Sequence, residues 1–358
     1  MDRNMVIRIG TRESTLAMKQ AESLASYLNA RGDVQAELVP MKTTGDKVLD
    51  QALDQIGGKG LFMKELDVAL AEGRTDLSVH SLKDMTLDLP EEYPLIGVSK
   101  REDPRDVLVL SGHIMPMEKR KNYSASQGGC AEQSDITQAK TSKADTGQTD
   151  VEQRNSCFER ETILDSQYEA EVSKQIRQII EKGLPIGCAS NRRKLQFQKM
   201  YPDAEFKLIR GNIQTRLRKL DEGEYGALIL AAAGLKRLGL QERISRYFSP
   251  NEILPAAGQG ILGIQGRRDF DKELLAGYCD REAWLCAQAE TSFVRECGGG
   301  CSSPIAAYAT ILAGQMTLKG LYYTPEMGAD YLRDEITGPC DEAVRLGVEL
   351  AQKLLKMV

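Results

Sequence analysis

Histidine is almost missing from this chain. Its 358 residues include only two, His80 and His113. That leaves Ser-His-Asp catalysis and histidine-rich metal sites poorly supplied, and no metal is expected. A basic excess is missing too. Lys and Arg total 47 against 52 Asp and Glu, a formal net charge of -5. This argues against a general nucleic-acid binder. No stretch is apolar for long enough to span a bilayer, and the opening MDRNMVIRIG has no signal-peptide run. A cytoplasmic protein with no membrane partner is expected. The phosphate-binding pattern GxxxxGK[ST] does not occur, so an anionic ligand need not be a nucleotide. The eight cysteines of such a chain are best read as free thiols.

What is present is α/β patterning. Met5 to Ile9 reads as a strand, Ser14 as an N-cap, and Thr15 to Ala30 as a helix. Ala36 to Met41 is a second strand. Gly57 to Pro90 then reads as a glycine turn, a helix through Phe62, Leu66, Ala69 and Leu70, an acidic-glycine turn, and a strand. In that strand Leu77 and Val79 alternate with Ser78 and His80, and it runs into Ser81-Leu82-Lys83-Asp84. The β-α-β-α-β order predicts a mostly parallel sheet, whose ligands sit beyond the carboxyl ends of the strands. Lys83 and Asp84 lie at such an end and form a candidate reaction centre.

A second α/β unit begins at Leu184. LDVALAEGRTDLSVHSLKD and RLRKLDEGEYGALILAAAGLK share the order helix, acidic-glycine turn, strand, basic exit. Two such units facing each other make a cleft, with Arg101 to Arg105 and Ile253 to Gly266 as the crossings. Between them, Glu118 to Gln153 is too polar to bury a core and reads as a flexible insertion. The last part reads as a small α+β domain. Its elements are a helix from Arg281 to Glu296, paired strands at Ile305–Leu312 and Met316–Tyr323, and an amphipathic helix over Asp341–Met357. Val344, Val348, Ala351 and Leu355 would form one face of that helix.

Arg12, Lys83, Arg192, Arg193, Arg210, Arg216 and Arg237 all fall at strand exits or the helix starts that follow them. Arginine grips carboxylates bidentately and stays charged when buried. Seven cations at equivalent joins point to a polyanionic ligand. Cys301 closes a triple-glycine loop, where a thiol near cations would serve as a nucleophile or an attachment point.

The segments IRIGTRESTLA, GGKGLFMKEL, VHSLKD, REDPRDVLV, RGNIQTRL, DEGEYGALILAAAGLKRLGL, LPAAGQG and GGGCSSPIAAYA resemble the porphobilinogen deaminase (hydroxymethylbilane synthase) family. The resemblance covers nearly all of the chain outside 114–183. It implies two periplasmic-binding-protein-like α/β domains around a cleft plus a small α+β C-terminal domain. Domain 1 would span 1–100 and 258–278, domain 2 would span 101–257 with the insertion at about 114–183, and domain 3 would span 279–358. It implies a monomeric transferase that condenses four porphobilinogen units head-to-tail into hydroxymethylbilane with loss of ammonia.

By the same resemblance a dipyrromethane cofactor is held by a thioether to Cys301. Asp84 is the catalytic carboxylate, holding the pyrrole N–H and stabilising the cationic azafulvene. Lys83, Ser190, Arg192, Arg193 and Arg216 meet the cofactor. Arg12, Ser14, Arg210, Arg237, Gln259 and Lys59 meet the substrate or the growing chain. Where the family has GTSSLRR this chain has Gly187-Cys188-Ala189-Ser190-Asn191-Arg192-Arg193, two hydroxyls fewer for the cofactor carboxylates. Two alternatives stand beside this reading, a non-catalytic anion-binding protein of periplasmic type and a degenerate, inactive deaminase.

Overall fold

The computed structural model describes residues 5–43, 63–111, 168–300 and 303–358. Strand β1 (Met5–Arg12) runs into helix α1 (Thr15–Ala30) and returns as β2 (Val34–Met41). The Ser14 hydroxyl accepts the Ala17 N–H at 3.3 Å and satisfies one of the helix's orphan donors. Ala17, Ala21, Leu24, Ala25 and Leu28 recur every three or four residues, and that face is buried on the sheet. Helix α2 (Lys64–Ala71) and strand β3 (Leu77–Ser81) complete the unit. Both neighbours of β1 are parallel to it. The Ser78/His80 face of β3 is as buried as the Leu77/Val79 face, because this central strand is covered on both sides.

The second unit repeats the first. Its elements are β5 (Asp106–Leu110), helix α3 (168–181), β6 (Ile186–Gly187), α4 (Asn191–Met200), β7 (Phe206–Lys207), α5 (Ile213–Asp221), β8 (Ala227–Ala231), α6 (Ala232–Arg237) and β9 (Arg246–Tyr247). With β4 (Leu95–Val98) and β10 (Leu262–Gly266), the two sheets are ordered β2-β1-β3-β10-β4 and β7-β6-β8-β5-β9. Each has parallel pairing through its first three strands and antiparallel pairing at the fourth. The turns before β3 and β8 are the same device. Gly73 and Gly223 have positive φ, and the next residue's N–H reaches back to Ala69 and Lys219.

The fourth strand of each sheet is reached by a crossing from the other unit. The crossings lie side by side, with the Glu102 N–H donating to Gly260 O at 3.0 Å. Gly260 has φ +90, and a Cβ there would lie 2.2 Å from Glu102 O, so only glycine fits.

The expected flexible insertion does not extend to residue 183. Residues 168–181 are helical, and Val172, Ile176 and Ile179 are buried in the second unit's core with Phe197 and Phe248. The polar stretch from Glu118 to Gln153 lies outside the described residues.

The C-terminal part consists of α7 (Arg281–Glu296), β11 (Ala306–Leu312), β12 (Gln315–Tyr322), β13 (Leu332–Pro339) and α8 (Ala343–Leu355). Strand β13 has no counterpart in the sequence reading. It is an edge strand with few apolar residues, and pairing with β12 rather than burial defines it. The face assigned to the last helix also needs correction. Val344 is 50% exposed and Leu355 36%, whereas Ala343, Leu346, Gly347, Leu350, Ala351 and Leu354 are buried. Gly347 sets the orientation. It lets α8 press on α7 so closely that a Cβ would lie 2.4 Å from Ala289 O.

One buried carboxylate docks this domain on both crossings. Glu290 of α7 accepts from Arg101 Nη2 at 2.7 and 2.9 Å, Gly258 N at 2.7 Å and Ala309 N at 2.8 Å. Arg101 also stacks over Tyr308. Among the described residues, no helix is long and apolar enough to cross a membrane.

Candidate active site

At the end of β3 the chain makes one tight turn, Leu82–Asp84. Leu82 and Met85 are buried, so Lys83 and Asp84 between them are turned outward. The Leu82 N–H donates to Ile261 O at 3.0 Å, and the Leu82 side chain fills the space a Cβ on Gly258 would need. The return crossing therefore fixes the position of this turn.

Lys83 Nζ donates to Gln259 Oε1 at 3.3 Å. Gln259 is 1% exposed, and its Nε2 donates to Pro104 O at 2.6 Å and to Asp106 Oδ1 at 3.0 Å. Asp106, the first residue of β5, is fully buried. It takes Arg192 Nη1 on one oxygen at 2.7 Å and Arg193 Nε on the other at 2.8 Å. Both arginines sit in the first turn of α4, so the strand exit at Gly187 places them over the crossing. Lys83, Gln259, Asp106, Arg192 and Arg193 thus form one network joining the two α/β units.

Arg216 and Arg210 extend it. Arg216 Nε donates to Gly211 O at 2.8 Å. Burial, with Arg193 and Arg210 nearby, lowers the Arg216 pKa to about 10. Lys83 is lowered to about 8, first by burial and then by Arg193. Burial alone would raise the Asp106 carboxyl, but the Arg192 and Arg193 guanidiniums hold it well below the usual carboxylate range. Asp84 feels the same cations, since it acts electrostatically on Lys83, Arg193 and Arg216. Five cations here face two carboxylates.

Other expected residues make further contacts around the site. Ser14 commits its hydroxyl oxygen to the α1 cap. Arg12, at the end of β1, lies near His80. Burial first and then the Arg12 charge lower the His80 pKa to about 4. Arg237 Nη2 donates to Gly260 O at 2.6 Å and braces the crossing. Ser190 precedes α4 without a side-chain cap bond. Lys59 and Cys301 lie outside the described residues.

The reading of GCASNRR as a loss of two cofactor donors is half overturned. Cys188 is fully buried in the second unit's core, and its thiol donates to Ser190 O at 3.5 Å. Its side chain belongs to the core, so the exchange there removes no cleft-facing donor. Ala189 is partly exposed at the strand exit.

Sequence reasoning missed Asp106. The signal was a carboxylate opening an otherwise apolar strand, Asp106-Val-Leu-Val-Leu, where burial needs a partner. Asp106→Ala leaves Arg192 and Arg193 buried without their counter-ion. A loss of about 3–5 kcal/mol of unfolding free energy is expected, measured by urea titration.

This is an α/β protein of two similar units with a cluster of cations at their strand exits and a docked third domain. The family model described as "Porphobilinogen deaminase, dipyromethane cofactor binding domain" matches residues 7–131 and 147–275. The C-terminal domain model of the same family matches residues 284–356. A porphobilinogen deaminase of Acetivibrio thermocellus is 43% identical over 98% of this chain and 99% of its own length. One of Alkaliphilus oremlandii is 44% identical over 98% and 97%. One of Chromobacterium violaceum is 39% identical over 98% and 94%. The chain belongs to the porphobilinogen deaminase family. The first family model takes in residues on both sides of 132–146, so most of the 114–183 region belongs to the family pattern. Among solved structures the likeness is distant. The periplasmic aliphatic sulphonate binding protein SsuA of Escherichia coli has a TM-score of 0.34 and 10% identity, over 82% of this chain and 70% of that one.

Proposed function

We propose that this chain condenses four porphobilinogen units head-to-tail into hydroxymethylbilane, releasing one ammonia at each condensation, on a dipyrromethane primer carried by Cys301. The observation that carries this reading is the network in which Lys83 joins the buried Gln259, Asp106, Arg192 and Arg193 beside Asp84. When bound, the primer would supply the terminal ring to which the first incoming unit is joined.

The residues present fit such a group. Each pyrrole brings two carboxylates, and the cluster has more cations than anions. Lys83, Ser190, Arg192, Arg193 and Arg216 are assigned to the primer side. Arg12, Ser14, Arg210, Arg237, Gln259 and Lys59 are assigned to the substrate and the growing chain. Asp84 accepts the pyrrole N–H and stabilises the positive charge left on the incoming ring when ammonia departs. A non-catalytic anion binder is the weaker reading, since it leaves the third domain and its Glu290 anchor without a role.

We assign the domains as 1–100 with 258–278, 101–257, and 279–358, supported by the entry of β10 into the first sheet. A cytoplasmic monomer acting on a small-molecule substrate is the simplest setting. The free state of Cys188, Cys279, Cys286, Cys297 and Cys340 supports the cytoplasmic part of that reading.

The Lys83 charge supplies a pH test. Its pKa in the folded chain, about 8, lies below the ordinary lysine value of 10.5, because burial penalises the ammonium. That penalty on stability is fully present below pH 8 and fades as pH rises towards 10.5. A carboxylate ligand binds the protonated form. KM for porphobilinogen is therefore expected to rise as pH increases through about 8. Lys83→Arg, which keeps its charge, should flatten that limb. A parental pH profile in Lys83→Arg would remove Lys83 from ligand binding.

Intact mass under denaturing conditions, with peptide mapping, tests the whole reading. A mass excess of two condensed units on the Cys301 peptide is expected. An unmodified chain that takes up no adduct from added porphobilinogen would refute it.

A further inference from the structure

Gln196 lies one turn after Arg192 on α4 and is fully buried. Its Nε2 donates to Arg192 O and Leu254 O, both at 3.2 Å. Its Oε1 accepts the Leu254 N–H at 2.7 Å and also accepts from Arg333 Nη2. One side chain therefore holds both backbone groups of Leu254. The Leu254 carbonyl also receives Arg192 Nη1 at 2.6 Å, the same nitrogen that binds Asp106.

Arg333 comes from β13 of the third domain. Its Nη1 donates to Asn251 O at 2.5 Å, and Lys319 of β12 donates to Asn251 Oδ1 at 2.8 Å. The third domain thus grips the segment 251–254 directly and through Gln196. Arg333 and Arg192 are like charges separated by one neutral amide. Packing alone would be served better by an apolar residue at 333. A guanidinium there gains the Gln196 and Asn251 acceptors in exchange for that repulsion.

We propose that Gln196 and Arg333 are positioning residues for Arg192, fixing its guanidinium through the Leu254 carbonyl only while the third domain is docked. This rests on the assignment of Arg192 to ligand binding. Any slide of the third domain along β13 would move Leu254 and, with it, the Arg192 donor. The docking state would then set the carboxylate affinity of the cleft.

The test is a double-mutant cycle on kcat/KM for porphobilinogen, using Arg333→Met and Arg192→Lys in the full chain, with melting temperature followed by Trp284 fluorescence. Arg333→Met is expected to lower kcat/KM about tenfold, a coupling within the range of contacting network residues. In the Arg192→Lys background it should add little. Arg333→Lys, which retains a cation near the same acceptors, should recover part of the loss. Multiplying losses in the double variant would overturn the positioning role while leaving Arg192 in the site. An unchanged rate in Arg192→Lys would overturn the role of Arg192 and the proposal with it. Gln196→Met supplies a second probe from the α/β side, expected to be equally non-additive with Arg192→Lys.

Discussion

Asp84→Asn is expected to retain the fold and the primer and to lower turnover by about two to three orders of magnitude. The substitution keeps the shape of the side chain and removes only its charge. Asp84 is exposed and sits at the end of a turn held by the buried Leu82 and Met85. Structural cost should therefore be small. The catalytic cost is large because the turn brings a negative charge to a place ringed by Lys83, Arg193 and Arg216. On the proposed mechanism the departure of ammonia leaves a cation among cations, and Asp84, an exposed carboxylate at that turn, would offset it. An interaction needed chiefly as charge develops lowers kcat more than it raises KM. Single-turnover kinetics alongside intact mass would check this. Near-parental turnover with the primer in place would remove Asp84 from catalysis.

Cys301→Ala is expected to abolish the covalent primer and all turnover, whereas Cys297→Ala should keep both. The competing thiols are poor nucleophiles. Burial and the neighbouring Glu296 push the Cys297 thiol up to about 12, and burial with Glu290 does the same to Cys286. Burial also raises Cys188 and Cys279. A thiol that stays protonated does not form a thioether readily. The flanks of the Cys301 segment are held in place. Gly298 has φ +68 after the α7 terminus, and the Ser303 N–H donates to Gly300 O at 3.1 Å. Denaturing mass spectrometry of both variants is decisive. A primer retained on Cys301→Ala would show that another residue carries it.

Much of the fold was legible because periodicity and capping are local. Thr15–Ala30 and Arg281–Glu296 have the bounds the sequence suggests. Ser14, Asn212 and Asp280 cap their helices through short-range bonds. The echo between the two units was visible as a repeated helix, acidic-glycine turn and strand, because the left-handed glycines that end α2 and α5 are required by those turns alone. Strand β13 and the buried face of α8 were not legible. The first is defined by a partner strand far along the chain and the second by contact of Gly347 with α7.

The candidate site divides the same way. Residue type and position at strand exits singled out Lys83, Asp84, Arg192, Arg193 and Arg216, since arginine clusters and exit turns are properties of short segments. The sequence by itself determined the family, the paired α/β units and the cationic character of the cleft. Only the tertiary structure decided what those cations bind within the protein. Asp106 meets Arg192 and Arg193, the Leu254 carbonyl of the return crossing meets Arg192, and Gln259 joins them through Asp106, because the two crossings bring distant stretches together. A buried charge must find its partner in space, and no local pattern of residues records which partner that is.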